Sequence, residues 1–318
     1  MPLPSFLELI EDYLAFRRGL GSELESRSWM LRDFGRYMDR SGYQGHLTIE
    51  LQVQWALRTR SSDPAHAALR LSTVRQFARH RALFDPSTEV PPIGLLGRLS
   101  RHRKQPHIYS EAEVSALLHE ASLLLPCHGL RPSTYVAFFS LLLCTGLRLS
   151  EACRLTCNDV DLAEGILTVR EGKFRKSRLV PLHATTTQAL THYAARRNEY
   201  PNAPRSQRFF RTDQRSELTP AAVHGTFGSL RQRLGWSGQG RARRPRIHDM
   251  RHTFAVRRLL AWYREGAELD RKILALATYL GHVKPTETYW YLSAVPELMA
   301  ITSQRFEHLF RSEQERAS

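Results

Sequence analysis

Apolar residues recur at three- and four-residue intervals along most of the first hundred residues. Phe6, Leu9, Ile10, Tyr13, Leu14 and Phe16 follow helical spacing, and the stretch from Leu24 to Met38 carries Trp29, Met30, Phe34 and Tyr37 in the same way. Thr48 precedes a third stretch with Leu51, Trp55 and Leu57. Asp63-Pro64 has the form of an N-cap followed by proline at N1, opening a fourth helix through about Phe84. Four short helices predict a small bundle. The pattern then breaks at Pro86, Pro91, Pro92, Gly94, Gly97 and Pro106. This predicts a helical domain over 1–95, a linker over 96–106 and a second domain over 107–318.

The second part reads differently. Ser110 with Glu113 is a capping box that opens a helix to about Leu124. Tyr135 to Cys144 is a buried helix with Gly146 placed to end it, and a short helix follows from Ser150 to Leu155. Ile166–Arg170 and Arg178–Leu182 are β-type runs around a turn at Gly172, which predicts a hairpin. Helices return at about 184–199, 219–234, 248–264, 270–280 and 296–310. The class predicted is mainly α with a small antiparallel β-sheet.

Composition changes this picture only through charge. With 42% hydrophobic and 24% charged residues the 318-residue chain is ordinary for a globular protein of about two domains. Its net charge is +15, and 41 of its 46 basic residues are Arg. Between Arg205 and Arg258 there are 13 Arg, no Lys and three acids. Guanidinium forks match phosphate oxygens, so the excess points to a polyanionic partner, with codon bias as the plain alternative. The longest apolar run, near Val136 to Cys144, is far shorter than the roughly 18 residues a spanning helix needs, so no membrane contact is expected. The first residues carry Glu8, Glu11 and Asp12 where a secretory signal is basic. Four Cys are too few for a disulfide scaffold, and a cytoplasmic setting is expected.

The candidate chemistry starts at His248, Arg251 and His252. His248 and His252 stand four apart on one helix face, as zinc ligands can. However, Asp249 stands where the zinc-hydrolase motif has Glu, and Arg251 places a cation beside the pair. A cation there repels a metal and attracts an oxyanion, so no metal site is expected.

Five segments occur in order: Thr145-Gly-Leu-Arg148-Leu-Ser-Glu151, Gly172-Lys173, His248-x-x-Arg251-His252, Leu280-Gly281-His282, and Tyr291 nine residues later. This set resembles the tyrosine recombinase (phage integrase) family, including its mobile-element integrases and transposases. The resemblance spans residue 109 to about 295. It implies a helical core-binding domain that grips DNA, followed by a catalytic domain. The implied activity is site-specific cutting and rejoining of double-stranded DNA through a 3′-phosphotyrosyl intermediate, with no cofactor. Arg148 and Arg251 match the family's phosphate-binding arginines, and His248 its base or hydrogen-bonding position. Lys173 matches the general acid, His282 the phosphate-bonding histidine and Tyr291 the nucleophile. Glu151 and His252 would orient these groups. Arg175, Lys176, Arg178, Arg243, Arg244 and Arg246 are expected to contact DNA.

Two assignments stay open in the sequence. Tyr289 lies two residues from Tyr291, and Phe174 follows Lys173 where the family often has Gly, which leaves Lys176 as an alternative acid. By the same resemblance, the helix at 296–310 docks on a neighbouring protomer in a dimer or tetramer on DNA. The alternatives are a DNA-binding protein of this fold without turnover, or a nicking-closing enzyme like the type IB topoisomerases.

Overall fold

The computed structural model describes residues 4–21, 25–43, 45–59, 61, 64–97, 105–170, 177–200, 207–213, 217–237 and 244–294. Contacts divide the chain into two compact units, Met1–Lys104 and Gln105–Ser318, and each has its own apolar core.

The first unit holds four helices, α1 (Phe6–Gly19), α2 (Glu25–Arg40), α3 (Ile49–Leu57) and α4 (Pro64–Arg81). The last stops three residues before the expected Phe84, and the expected cap Asp63 lies outside the described residues. Local chemistry starts two of the others. Ser5 and Glu8 form a reciprocal capping box on α1, and the Thr48 hydroxyl accepts from Leu51 N–H on α3. Ile10, Leu14, Phe34, Trp55, Val74 and Phe77 fill the core. Arg70 is buried in it, with its guanidinium 3.7 Å over the Trp55 ring and bonded to Asp33 and the Trp55 carbonyl.

The second unit is built around α6 (Arg131–Thr145), which buries Tyr135, Phe138, Phe139, Leu141 and Leu142. Leu130 offers this helix no side-chain cap. Instead, the Asp213 carboxylate, from a distant loop, accepts the backbone N–H groups of Leu130 and Arg131. Around this helix run α5 (Glu111–Ser122), α7 (Leu149–Arg154), α8 (Ala184–Glu199), α9 (Pro220–Arg233) and α10 (Ile247–Arg264). The Ser110–Glu113 capping box forms as the pattern predicts.

The sheet has three antiparallel strands, β1 (Val160–Asp161), β2 (Ile166–Val169) and β3 (Arg178–Pro181), in that order. The β2–β3 pairing runs from Ile166 opposite Pro181 to Val169 opposite Arg178. It is the expected hairpin, while β1 is too short for any periodicity to reveal. The hairpin tip, 171–176, lies outside the described residues.

A second small core joins α10 to α11 (Leu269–Leu280) and α12 (Thr286–Ala294), through Val256, Leu259, Ile273, Leu276, Leu280 and Tyr291. Helix α10 belongs to both cores, because Ile247 and Met250 pack into the larger one. The expected helix at 296–310 lies outside the described residues. Among those described, no helix is long and apolar enough to cross a membrane.

Candidate active site

The site gathers where α6 ends, α10 begins and α11 ends. Helix α6 terminates at Gly146, in the left-handed conformation with φ 62°. A Cβ there would also stand 2.7 Å from Phe254 and 2.9 Å from Leu280, so glycine is required by both backbone and space. The turn delivers Arg148 as the N-cap of α7. Its backbone N–H donates to Glu151 Oε2 at 2.9 Å, and its Nη1 donates to Glu151 Oε1 at 2.8 Å.

Glu151 is buried and also receives the fork of Arg178, at 3.1 and 2.9 Å. Burial alone would raise the Glu151 pKa. The hydrogen bonds and charge of Arg178, together with the Arg148 backbone and side chain, reverse this and hold it at about 2. The carboxylate is therefore ionised and fixes two arginines. The sequence pattern offers Arg178 to DNA, and in the fold its guanidinium pairs with Glu151. With 12% of its side chain exposed, Arg178 is committed to Glu151 and, through Nε, to the Tyr279 carbonyl at 2.7 Å. It fastens the base of the hairpin beside the site.

The N-terminus of α10 is capped from within. Asp249, fully buried, accepts the Arg246 backbone N–H at 2.8 Å and the Nε and Nη2 hydrogens of the Arg246 guanidinium. Arg246 therefore keeps 42% of its side chain exposed while anchored. Arg244 is exposed. One turn on, Arg251 is buried and donates to the Gly146 carbonyl at 2.6 Å and the Leu280 carbonyl at 2.7 Å. Burial and the nearby Arg148 charge lower its pKa to about 10, which leaves it protonated at neutral pH. His248, on the first turn of the same helix, is exposed. Loss of surrounding water and the Arg251 charge pull its pKa below the ordinary imidazole value, so the ring is neutral at physiological pH.

Arg148 Nη2 donates to the Gly281 carbonyl at 2.8 Å, next to the Leu280 carbonyl held by Arg251. Two cations thus pin one turn, whose Gly281 is left-handed at φ 66°. The turn delivers His282. Its Nδ1 is 2.7 Å from the hydroxyl of Thr288, a fully buried residue of α12. One helical turn further, Tyr291 is 2% exposed. Its ring stacks towards His282, 6.5 Å between centroids, and its hydroxyl is 3.0 Å from His252 Nδ1. Tyr289, on the opposite side of the helix, is 39% exposed.

Arg148, Glu151, His248, Arg251, His252, His282 and Tyr291 are therefore brought together from segments far apart in the chain. Lys173, Arg175, Lys176 and Arg243 lie outside the described residues. Sequence reasoning missed Thr288 as a member of the site, and it missed the pairing of Arg178 with Glu151. Thr288 carries no local signal, because its role appears only when α12 folds over the His282 turn. Among the described residues no three His, Cys, Asp or Glu side chains converge as metal ligands do. What the cluster offers is a fixed excess of cationic donors over one carboxylate, beside a phenol, which suits an oxyanion undergoing attack.

Comparison with known proteins agrees with this chemistry. Residues 109–297 match the phage integrase family. The putative integrase/recombinase y4rB of Sinorhizobium fredii is 40% identical over 310 residues, covering 96% of this chain and 98% of that protein. The tyrosine recombinase XerD of Bradyrhizobium diazoefficiens is 28% identical over 308 residues, covering 91% and 92%. Among solved structures, the Tn1549 transposon integrase in complex with transposon right end DNA has the same fold, with a TM-score of 0.65 at 18% identity, covering 96% of this chain and all of that one.

Proposed function

Because this chain belongs to the phage integrase family of tyrosine recombinases, which cut and rejoin DNA, we propose that Tyr291 is its nucleophile and that Arg148 and Arg251 bind the scissile phosphate. The observation that carries this is the shared anchorage of the two arginines on the Leu280 and Gly281 carbonyls, beside His282 and Tyr291. In-line attack on a phosphodiester builds negative charge on the non-bridging oxygens. Two permanently protonated forks, already oriented by carbonyl and carboxylate partners, meet that charge without further ordering. His282 has Nδ1 engaged by Thr288, which turns Nε2 towards the phosphate, and the neutral His248 supplies a further hydrogen bond.

The Tyr291 oxygen bonds to phosphorus and the bond to the 5′-oxygen breaks. Lys173 gives that oxygen its proton, with Lys176 as the alternative donor. The 5′-hydroxyl of a partner strand then attacks the phosphotyrosyl bond in reverse. Bond energy is conserved in the adduct, so no nucleotide is consumed. Glu151 keeps the arginines in place. The first unit contacts duplex DNA, together with Arg244 and Arg246 and with Arg175, Lys176 and Arg243. The protein assembles as a dimer or tetramer on DNA through 296–310, and works in the cytoplasm. Its kinship with integrases favours mobile-element DNA as the substrate.

The test is a nicked suicide duplex carrying the cognate site, incubated with protein in EDTA. A covalent protein–DNA band is expected from the native chain and from Tyr289→Phe, and none from Tyr291→Phe. The reverse pattern would overturn the nucleophile assignment. Strand exchange between two site-bearing duplexes, rather than relaxation alone, separates a recombinase from a nicking-closing enzyme.

A further inference from the structure

The residue at the Tyr291 hydroxyl is His252, which the sequence pattern marks only as an orienting side chain. Its Nδ1 lies 3.0 Å from the phenolic oxygen, and the two rings meet at 62° with centroids 5.5 Å apart. We infer that His252 is the general base of the cleavage step, accepting the Tyr291 proton at Nδ1. The inference rests on Tyr291 being the nucleophile.

Three observations converge on it. A base must stand within hydrogen-bond reach of the proton it takes, and this distance falls inside the usual span of about 2.6–3.2 Å. The phenol is buried at 2% exposure, so bulk water is a poor alternative acceptor. A tyrosine is ionised only to about one part in a thousand at neutral pH, so attack needs such an acceptor. The imidazole is also held in plane. His248 packs edge-on at 4.7 Å from the same helix, and Trp290 at 5.6 Å from α12.

The surrounding charges favour the transfer. From α10, the Arg251 cation and Tyr291 are close enough to influence one another, so a developing phenolate is stabilised there. His248, also on α10, is neutral and does not repel an imidazolium. From the α11–α12 turn, the His282 ring stacks towards that of Tyr291 at 6.5 Å between centroids. In the step itself the Oη–H bond breaks and an Nδ1–H bond forms. The Oη–P bond forms, the P–O5′ bond breaks, and the 5′-oxygen takes its proton from the lysine general acid. In rejoining, the His252 imidazolium returns the proton to the departing Tyr291 oxygen. One side chain thereby serves both directions.

The experiment measures single-turnover cleavage of the nicked suicide duplex by the full chain, with and without added imidazole. His252→Ala is expected to cleave about a hundredfold more slowly, in the range for loss of a general base. Free imidazole, entering the vacated space, is expected to restore about tenfold of that loss. His252→Asn keeps a hydrogen-bonding group near the place of Nδ1 but no base, so it is expected to be as slow as His252→Ala. Cleavage by His252→Asn within about threefold of the native rate would overturn the proposal, because positioning alone would then suffice. So would a folded, DNA-binding His252→Ala that imidazole does not accelerate. A covalent adduct formed by Tyr291→Phe would instead sink the nucleophile assignment, whatever the His252 variants do.

Discussion

At Glu151, competition between burial and pairing decides how the site answers to acid. The folded pKa of about 2 lies below the ordinary 4.5. The stabilisation is thus complete above pH 4.5 and drains away as pH falls towards 2. Glu151→Gln is expected to cost on the order of 3 kcal/mol at neutral pH, since it leaves Arg148 and Arg178 without their shared carboxylate. Urea melts at neutral pH and at pH 3 check this: the gap between variant and native protein should shrink in acid. A gap of equal size at both would mean that the ion pairs do not supply the stability. Thr288 has a narrower duty. Thr288→Val should leave the melt within about 1 kcal/mol of native. It should slow covalent-adduct formation roughly tenfold, because the His282 ring loses the partner that fixes its orientation. Unchanged cleavage would remove Thr288 from the site.

Among the elements, the α6–α7 turn joins backbone geometry to chemistry. Gly146 ends the helix, approaches Phe254 and Leu280, and offers Arg251 its carbonyl. Gly146→Ala combines a left-handed penalty of roughly 1–2 kcal/mol with an overpacking cost of similar size. A loss of about 2–4 kcal/mol in a denaturant melt is expected, with adduct formation falling further than DNA binding does. Helix α10 shows the same joining. Asp249 caps it and holds Arg246, while Arg251 and His252 extend from the next turn. Asp249→Ala should therefore destabilise the protein by about 1–2 kcal/mol through the lost cap, and weaken DNA binding through a released Arg246. A gel-shift titration alongside the melt separates the two effects.

Over the whole molecule, charge and core organisation make separate statements. The +15 net charge implies that affinity for duplex DNA falls steeply with salt. If about six to ten phosphates are contacted, affinity should drop by roughly 10³–10⁵ between 50 and 200 mM salt. A slope near zero would contradict a DNA role for the arginine excess. The separate cores of residues Met1–Lys104 and Gln105–Ser318 predict that the second unit, expressed alone, melts cooperatively. A fragment over 105–318 without a cooperative transition would show that its core needs the first unit.

What the sequence determined by itself was local. Helix positions, the Thr48 and Ser110 starts, the Gly146 stop and the hairpin runs all depend on residues within a few positions of one another. The order of the five motifs named the family, because spacing along the chain is all that a motif needs. The partners were decided only by tertiary structure. Arg178 reads as one more surface cation until folding sets its fork against Glu151, 27 residues away. His252 reads as an orienting side chain until α12 brings Tyr291 to it across 39 residues. Hydrogen bonds between distant segments leave no periodic trace, since each partner satisfies its own element's pattern. Only the folded chain shows which polar atoms meet, and at this site that pairing is the chemistry.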